Sequence, residues 1–144
     1  MSTRITVPSV QGRKVRRGDV PLVMVTAYDA PGARMADAAG IDMILVGDSV
    51  AMVVLGYEDT LQVTVADMAH HTAAVARATP ASLIVADMPW LSYHVSIADT
   101  VTNAASLIRA GHCTAIALRV PPKCDATCFI HWNGESSAHA HDKL

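Results

Sequence analysis

The feature that most constrains the fold is a threefold alternation of apolar, strand-like runs with helix-like segments. The apolar runs are 22–29, 41–46 and 82–86. They are continuous rather than alternating in hydrophobicity, which is typical of strands that are covered on both faces. The segments between them are too long for hairpins and suit the crossovers that parallel strands need. The pattern therefore predicts βαβ units and a parallel sheet, which is an α/β fold.

Three helices are predicted from periodicity and from their end signals. They span 30–39, 65–78 and 97–110, and a loop is predicted at 53–63. Gly40 suits the position just past the first helix, because glycine readily adopts a left-handed backbone conformation there. Thr64 and Ser96 precede the other two helices, each with an aspartate three residues later. This is a weaker form of the capping box, and it marks where both helices begin.

The two ends of the chain differ from this regular middle part. Residues 1–19 have no sustained periodicity, and they contain Pro8, Gly12 and Gly18, so we predict an extended or loosely ordered arm. Residues 112–144 hold all three cysteines and four of the seven histidines. Within them 114–120 still has the character of a strand, but the rest is predicted to be irregular. The predicted organisation is therefore an arm at 1–19, a β/α unit at 20–111 and a divergent tail at 112–144.

Composition and charge exclude several classes of protein. The chain has 144 residues, of which 51% are hydrophobic and 17% charged, so a disordered chain is excluded and a core is expected. The net charge of -2 gives no reason to expect a nucleic-acid partner, which would need clustered Lys and Arg. No apolar run reaches the roughly 18 residues that cross a bilayer, and no signal-peptide pattern opens the chain. We therefore expect a cytoplasmic protein without a membrane or nucleic-acid partner.

Two of the predicted strands end on carboxylates. The run at 44–46 is followed by Gly47, Asp48 and Ser49, and the run at 82–86 is followed by Asp87. Parallel strands deliver their carboxyl ends to one edge of a sheet, which is where chemistry sits in α/β proteins. The spacing therefore favours a metal site held by Asp48 and Asp87.

Simpler roles compete with these functional ones. Asp48 and Asp87 are also compatible with capping the turns after their strands, because aspartate is common in such turns. Tyr28, at the end of the first strand, fits either a position facing the site or a structural role. His70 and His71 lie inside the second predicted helix, away from the strand ends, and are predicted to be packing or surface residues.

A series of motifs in order resembles a known family. The segments are 25–29 (Val-Thr-Ala-Tyr-Asp), 45–49 (Leu-Val-Gly-Asp-Ser), 56–60 (Gly-Tyr-Glu-Asp-Thr), 63–68 (Val-Thr-Val-Ala-Asp-Met), 71–75 (His-Thr-Ala-Ala-Val) and 86–89 (Ala-Asp-Met-Pro). Together they resemble ketopantoate hydroxymethyltransferase over about residues 19–111. Ala51 and Gln62 depart from the residues usual in the family, but neither departure removes a predicted ligand.

The resemblance implies a fold, an activity and site residues. It implies a TIM (β/α)8 barrel, here incomplete, with about the first three to four strands present. It implies a transferase of pantothenate biosynthesis that moves a hydroxymethyl group from 5,10-methylenetetrahydrofolate to 3-methyl-2-oxobutanoate, giving 2-dehydropantoate. Asp48 and Asp87 would hold Mg²⁺ and contact the 2-oxo acid, and Ser49 would help to bind its carboxylate. Members of the family form homo-oligomers.

The family pattern is expected to break after Gly111. The family carries Lys-x-Glu-Gly-Gly there, whereas this chain has Ile-Ala-Leu-Arg-Val at 116–120. The family's substrate-binding lysine, a third metal-associated carboxylate and the glutamate base are therefore not matched, and no catalytic residue is assigned in this chain. We hypothesise a shift of reading frame near codon 111. The incomplete barrel would leave apolar edges and an unfilled interior face, which predicts a poorly soluble chain with little activity.

Two alternative functions stay open from the sequence. One is another Mg²⁺-dependent enzyme acting on 2-oxo acids, of the phosphoenolpyruvate mutase or isocitrate lyase type, whose barrels also place aspartates after early strands. The other is a non-catalytic fragment that docks onto a full-length relative. The motifs at 26–29 and 56–60 favour the hydroxymethyltransferase.

Overall fold

The structure is a computed structural model that describes residues 4–13, 20–78, 80–119, 127–132 and 138–141, with side chains described as far as Leu118. Its elements in chain order are α1 (Val7–Gly12), β1 (Met24–Thr26), α2 (Ala30–Ala38), β2 (Met43–Val46), α3 (Val50–Val53), α4 (Val65–Ala76), β3 (Leu83–Asp87), α5 (Ile97–Gly111), β4 (Ala115–Arg119), β5 (Thr127–Trp132) and β6 (Ala138–His141). The strands and helices predicted between residues 20 and 120 are all present.

The described strands form one sheet in the order in which they occur along the chain. β1, β2, β3 and β4 pair side by side and parallel, with Val25 opposite Ile44 and Ile44 opposite Ile84. Each parallel pair is joined through a helix, because the chain must return across the sheet before it can add a strand in the same direction. The predicted α/β class and parallel sheet are confirmed.

The helices begin where their capping residues predict. The Thr64 hydroxyl accepts a hydrogen bond from the Asp67 amide at 3.2 Å, and the Asp67 carboxylate accepts one from the Thr64 amide at 2.9 Å. Hydrogen bonds from the Thr64 hydroxyl and amide hold the pKa of Asp67 below its usual value. Ser96 caps α5 in a similar way, and Gly40 has the positive φ of 72° expected after α2.

The core lies on both faces of the central strands. On one face Ile44, Ile84 and Ile116 pack under Met68 of α4 and Leu107 of α5, and all five are fully buried. The opposite face carries a smaller cluster that α1 covers, formed by Val10, Met43, Leu83, Val85, Ala115 and Ala117. The alternation of side chains along a strand therefore divides the core into two clusters. Among the described residues, no helix combines the length and the apolar character needed to cross a bilayer.

The first strand is more exposed than predicted. Val23, Met24 and Val25 are 47%, 36% and 39% exposed, whereas its continuous apolar run predicts cover on both faces. Among the described strands β1 pairs only with β2, so its outer edge has no neighbour. The prediction of a covered first strand is therefore wrong, since an apolar run records what a strand could bury but not which neighbours it has.

The predicted arm contains a short helix. Residues 7–12 form α1, and Thr6 and Ser9 make a reciprocal capping box at its start, with distances of 3.0 and 3.4 Å between amides and hydroxyls. A proline in the first turn suits a helix start, because its missing N–H has no partner to lose there. This part of the arm prediction is wrong because Ser9 replaces the acidic residue of the usual capping signal. Residues 1–3 and 14–19 lie outside the described residues.

A buried carboxylate ties α1 to the start of β1. Asp42 accepts a hydrogen bond from the Val23 amide at 2.9 Å and forms an ion pair with Arg13. Burial acts to raise the pKa of Asp42, but these two partners outweigh it and the pKa lies below its usual value. The carboxylate is therefore held in its charged form and links three parts of the chain.

The tail differs from its predicted irregular structure. β4 extends the parallel set, and β5 and β6 follow as antiparallel strands, with Leu118 opposite Cys128 and Ile130 opposite Ala140. Backbone pairing along the edge of β4 does not depend on the side-chain pattern from which irregularity was inferred. Cys113, just before β4, is buried, and burial raises the pKa of its thiol to about 12. The remaining tail residues, 120–126, 133–137 and 142–144, lie outside the described residues.

Candidate metal and substrate site at the strand ends

The two aspartates predicted to share a site lie next to each other. β2 and β3 are parallel neighbours with Val46 opposite Ala86, so the residues that follow leave the sheet on the same edge. The Asp48 amide donates a hydrogen bond to Oδ2 of Asp87 at 3.4 Å. Asp48 is 7% exposed and Asp87 is 6% exposed. The strand ends therefore bring both residues into one buried cluster.

Gly47 leaves room for the Ser49 side chain at this edge. A Cβ atom at this position would lie 3.0 Å from Oγ of Ser49 and 3.5 Å from Oδ2 of Asp87. The first distance is tighter than ordinary van der Waals contact, so a larger residue would push the serine hydroxyl away. The glycine of the Gly-Asp-Ser motif thus leaves the serine hydroxyl in its observed position, a role that the sequence reasoning missed.

Ser49 is held in place from two directions. The turn before α3 is closed by hydrogen bonds from the Val50 amide to the Gly47 carbonyl and from the Ala51 amide to the Asp48 carbonyl, at 3.1 and 3.0 Å. The Ser49 hydroxyl lies 2.9 Å from the Tyr28 hydroxyl. Tyr28 follows β1, so three neighbouring strands contribute to this edge. The structure places Tyr28 against the candidate site rather than apart from it.

His71 also reaches this edge. Its Nδ1 atom lies 2.9 Å from the carbonyl oxygen of Tyr28, which can only accept, so Nδ1 carries the proton. The expectation that His71 lies away from the strand ends is therefore wrong. α4 begins beside this edge of the sheet, and its second turn lies within side-chain reach of it. His70 is exposed, and its ring centroid lies 5.4 Å from that of His71 in a T-shaped arrangement.

The neighbouring strand β4 supplies no carboxylate here. Ala117 lies opposite Asp87, and its carbonyl accepts a hydrogen bond from the Met88 amide at 3.0 Å. The next residues of the strand are Leu118 and Arg119. Within the described ranges no group of three or more His, Cys, Asp or Glu side chains is arranged to hold a metal ion.

The donor set still fits a hard divalent cation. Mg²⁺ prefers carboxylate oxygens and usually keeps several coordination positions for water and substrate. Asp48 and Asp87 supply two buried carboxylates at one edge. The residues present therefore suit a magnesium ion that shares its coordination sphere with a ligand.

Comparison with known proteins assigns the family. The model of ketopantoate hydroxymethyltransferase matches residues 4–129. The chain belongs to this family. It is 54% identical over 116 residues to 3-methyl-2-oxobutanoate hydroxymethyltransferase of Moorella thermoacetica, and 56% identical over 108 residues to that of Ignicoccus hospitalis. These alignments cover 81% and 75% of this chain but 42% and 40% of the relatives, so the chain spans about two fifths of their length.

The solved structures agree on the fold. A crystal structure of 2,3-dimethylmalate lyase, described as a member of the PEP mutase/isocitrate lyase superfamily, matches with a TM-score of 0.54 and 23% identity. The match covers 74% of this chain and 38% of the lyase. At this identity the likeness supports the β/α-barrel architecture alone. The four parallel strands represent part of the barrel of a ketopantoate hydroxymethyltransferase.

The family match is longer than the sequence motifs indicated. The motifs run over about residues 19–111, whereas the family match begins at residue 4 and continues to residue 129. It therefore includes α1 and β4, and the parallel pairing of β4 with β3 continues the same architecture past Gly111. The roles of Asp48, Ser49 and Asp87 stay predictions.

Proposed function

We propose that this chain contributes to hydroxymethyl transfer from 5,10-methylenetetrahydrofolate to 3-methyl-2-oxobutanoate, giving 2-dehydropantoate, with Mg²⁺ as the cofactor. The family assignment supports the reaction, and one contact supports its location. That contact is the hydrogen bond from the Asp48 amide to the Asp87 carboxylate, which joins the ends of two neighbouring parallel strands. The proposed metal and substrate site is therefore the edge formed by Asp48, Ser49 and Asp87.

Asp48 and Asp87 would hold the magnesium ion. Bound there, the ion would act as a Lewis acid on the ketone of the 2-oxo acid. The protein's own contribution is to bring both residues to one buried edge of the sheet. Their low exposure would strengthen the attraction between the carboxylates and a bound cation, because interactions between opposite charges are stronger where water is excluded.

Ser49 would orient the substrate. Its hydroxyl is a donor suited to a carboxylate oxygen, and it lies directly after Asp48 on the turn before α3. The Tyr28 hydroxyl at 2.9 Å restricts where the serine hydroxyl points. Positioning of this kind lowers the entropy that must be lost when the reacting groups meet. No residue of this chain is assigned as the base that removes the proton at C3.

Metal binding by the full chain tests the site. We expect calorimetry to detect binding of Mg²⁺ or Mn²⁺, with at least about tenfold weaker affinity in Asp48→Asn and Asp87→Asn because each loses a charged ligand. Asp59→Asn is the matched control, since this carboxylate caps a loop through the Leu61 amide. Equal affinity in all three variants would overturn the proposed site.

Activity is tested separately. The full chain is incubated with 3-methyl-2-oxobutanoate and 5,10-methylenetetrahydrofolate, and 2-dehydropantoate is measured by mass spectrometry. Product formation that requires divalent metal, and that is lost in Asp87→Asn, would support transferase activity. If the wild-type chain binds metal but forms no product, the proposal reduces to a binding site without turnover.

A second candidate is a non-catalytic subunit that associates with a full-length family member. The observations that favour it are the exposed apolar residues of β1 and the absence of a carboxylate at the described end of β4. Co-purification of the tagged chain with a full-length relative, lost when Val25 is replaced by Lys, would support it. The homo-oligomeric state and the cytoplasmic location stay predictions.

A further inference from the structure

We infer that His71 and Tyr28 are positioning residues that fix the Ser49 hydroxyl beside the Gly47–Asp48 turn. The connection consists of two contacts. Nδ1 of His71 donates to the Tyr28 carbonyl at 2.9 Å, and the Tyr28 hydroxyl meets the Ser49 hydroxyl at 2.9 Å. Both distances are those of good hydrogen bonds. The connection links α4, the end of β1 and the turn after β2.

The first contact holds the backbone of Tyr28. This residue follows the exposed edge strand β1, whose outer side has no neighbouring strand among the described residues. The backbone at Ala27 is held by a hydrogen bond from its amide to the Leu45 carbonyl. The His71 ring then donates a hydrogen bond to the carbonyl of the next residue, Tyr28. A second neighbouring strand would hold the backbone here by hydrogen bonds. His71, which lies on α4, restrains the backbone of Tyr28 in its place.

The second contact selects the direction of the serine hydroxyl. Ser49 is partly exposed, so without Tyr28 its side chain can rotate toward solvent. The serine oxygen lies against Gly47, where a Cβ would approach it to 3.0 Å. Ser49 also belongs to the turn that presents Asp48, so we expect a change in its rotamer to alter the surroundings of that turn. His71 and Tyr28 act on the site through Ser49.

Backbone amide NMR spectra of the full chain test the connection directly. In Tyr28→Phe and in His71→Leu, we expect the amide signals of Gly47, Asp48 and Ser49 to shift. Tyr57→Phe and His94→Leu are matched controls, because both side chains are exposed and outside the connection. His71→Asn should restore the wild-type signals, since its amide nitrogen occupies nearly the place of Nδ1 and can donate the same hydrogen bond. Unchanged Gly47–Ser49 signals in both variants would overturn the inference.

Ligand binding gives an independent readout that rests on the proposed function. We expect Tyr28→Phe to weaken binding of 3-methyl-2-oxobutanoate about five- to tenfold, the loss that one hydrogen bond accounts for, with metal affinity changed less than about twofold. A purely structural defect would weaken both affinities together, and that result would count against the inference. If the wild-type chain does not bind the oxo acid but the amide signals shift in the Tyr28 and His71 variants, the proposed function fails and the positioning role is supported.

Discussion

The central strands β2 and β3 and the edge strand β1 come from similar apolar runs but have different surroundings. Val25, Ile44 and Ile84 lie opposite one another across the three strands. The two isoleucines are fully buried, whereas the valine is exposed. This difference in exposure shows that the burial of a strand residue depends on the strands and helices that surround its strand, and not on the apolar run alone. The candidate site forms where the buried strands end, because there the turns are packed and their polar groups have partners.

A pair of valine truncations gives the largest expected contrast. Val85→Ala in β3 should lower the free energy of unfolding by about 2–3 kcal/mol, since it removes two buried methyl groups and leaves a cavity. Val25→Ala in β1 should cost less than about 1 kcal/mol because its side chain already meets solvent. Urea denaturation of both variants measures the difference. Equal losses would mean that β1 is covered in solution and would break the comparison.

A pair of glycine substitutions tests whether α4 and α5, which cover the central strands, are packed more tightly than α1. A Cβ at Gly111 would lie 3.1 Å from Cβ and Cγ2 of the buried Thr72, between α4 and α5. Gly111→Ala should therefore destabilise the chain by about 1–3 kcal/mol. Gly12→Ala in α1 meets nothing within 4 Å and should be neutral or stabilising by up to about 1 kcal/mol. Thermal unfolding compares them, and a stabilising Gly111→Ala would contradict the tight helix contact.

The pH dependence of Asp42 sharpens the comparison at the edge strand. Its pKa in the folded chain lies below the usual 3.8, so its contribution to stability is fully present above that value and is lost as the pH falls through the folded pKa. Asp42→Asn should cost about 1–2 kcal/mol at pH 7, through the Val23 and Arg13 partners. The gap between wild type and variant should shrink in acid.

Denaturant titrations of both proteins at several pH values measure this gap. Glu58→Gln removes an exposed negative charge and serves as the control. A gap that stays constant down to acid pH would show that the Asp42 charge does not stabilise the folded chain. Amide exchange at Val23 should quicken in Asp42→Asn, which would locate the effect at the start of β1.

Much of the fold was predictable because its signals are local. Thr64 and Ser96 mark helix starts through hydrogen bonds to residues three positions away, and Gly40 marks a helix end through its own backbone. The meeting of Asp48 and Asp87 was predictable as well. It follows from the parallel pairing of two consecutive strands, which carries their ends to the same edge.

The contacts that sequence reasoning missed are either non-local or chemically unusual. His71 and Tyr28 are 43 residues apart, and nothing in either segment indicates that a helix side chain donates to a carbonyl just beyond the end of β1. The exposure of Val25 depends on a neighbour beside β1, which the apolar run itself cannot report. The capping box of α1 uses Ser9 instead of an acidic residue, so the usual signal did not reveal it.

The antiparallel strand β5 limits how this sheet can be extended. In a β/α barrel, each further unit lays its strand parallel to the preceding one, and the position after β4 would receive the next. Here the backbone groups along that side of β4 are engaged by β5, which runs in the opposite direction. Any parallel strand that joins the first four must therefore dock beside β1, at the amino-terminal flank of the sheet.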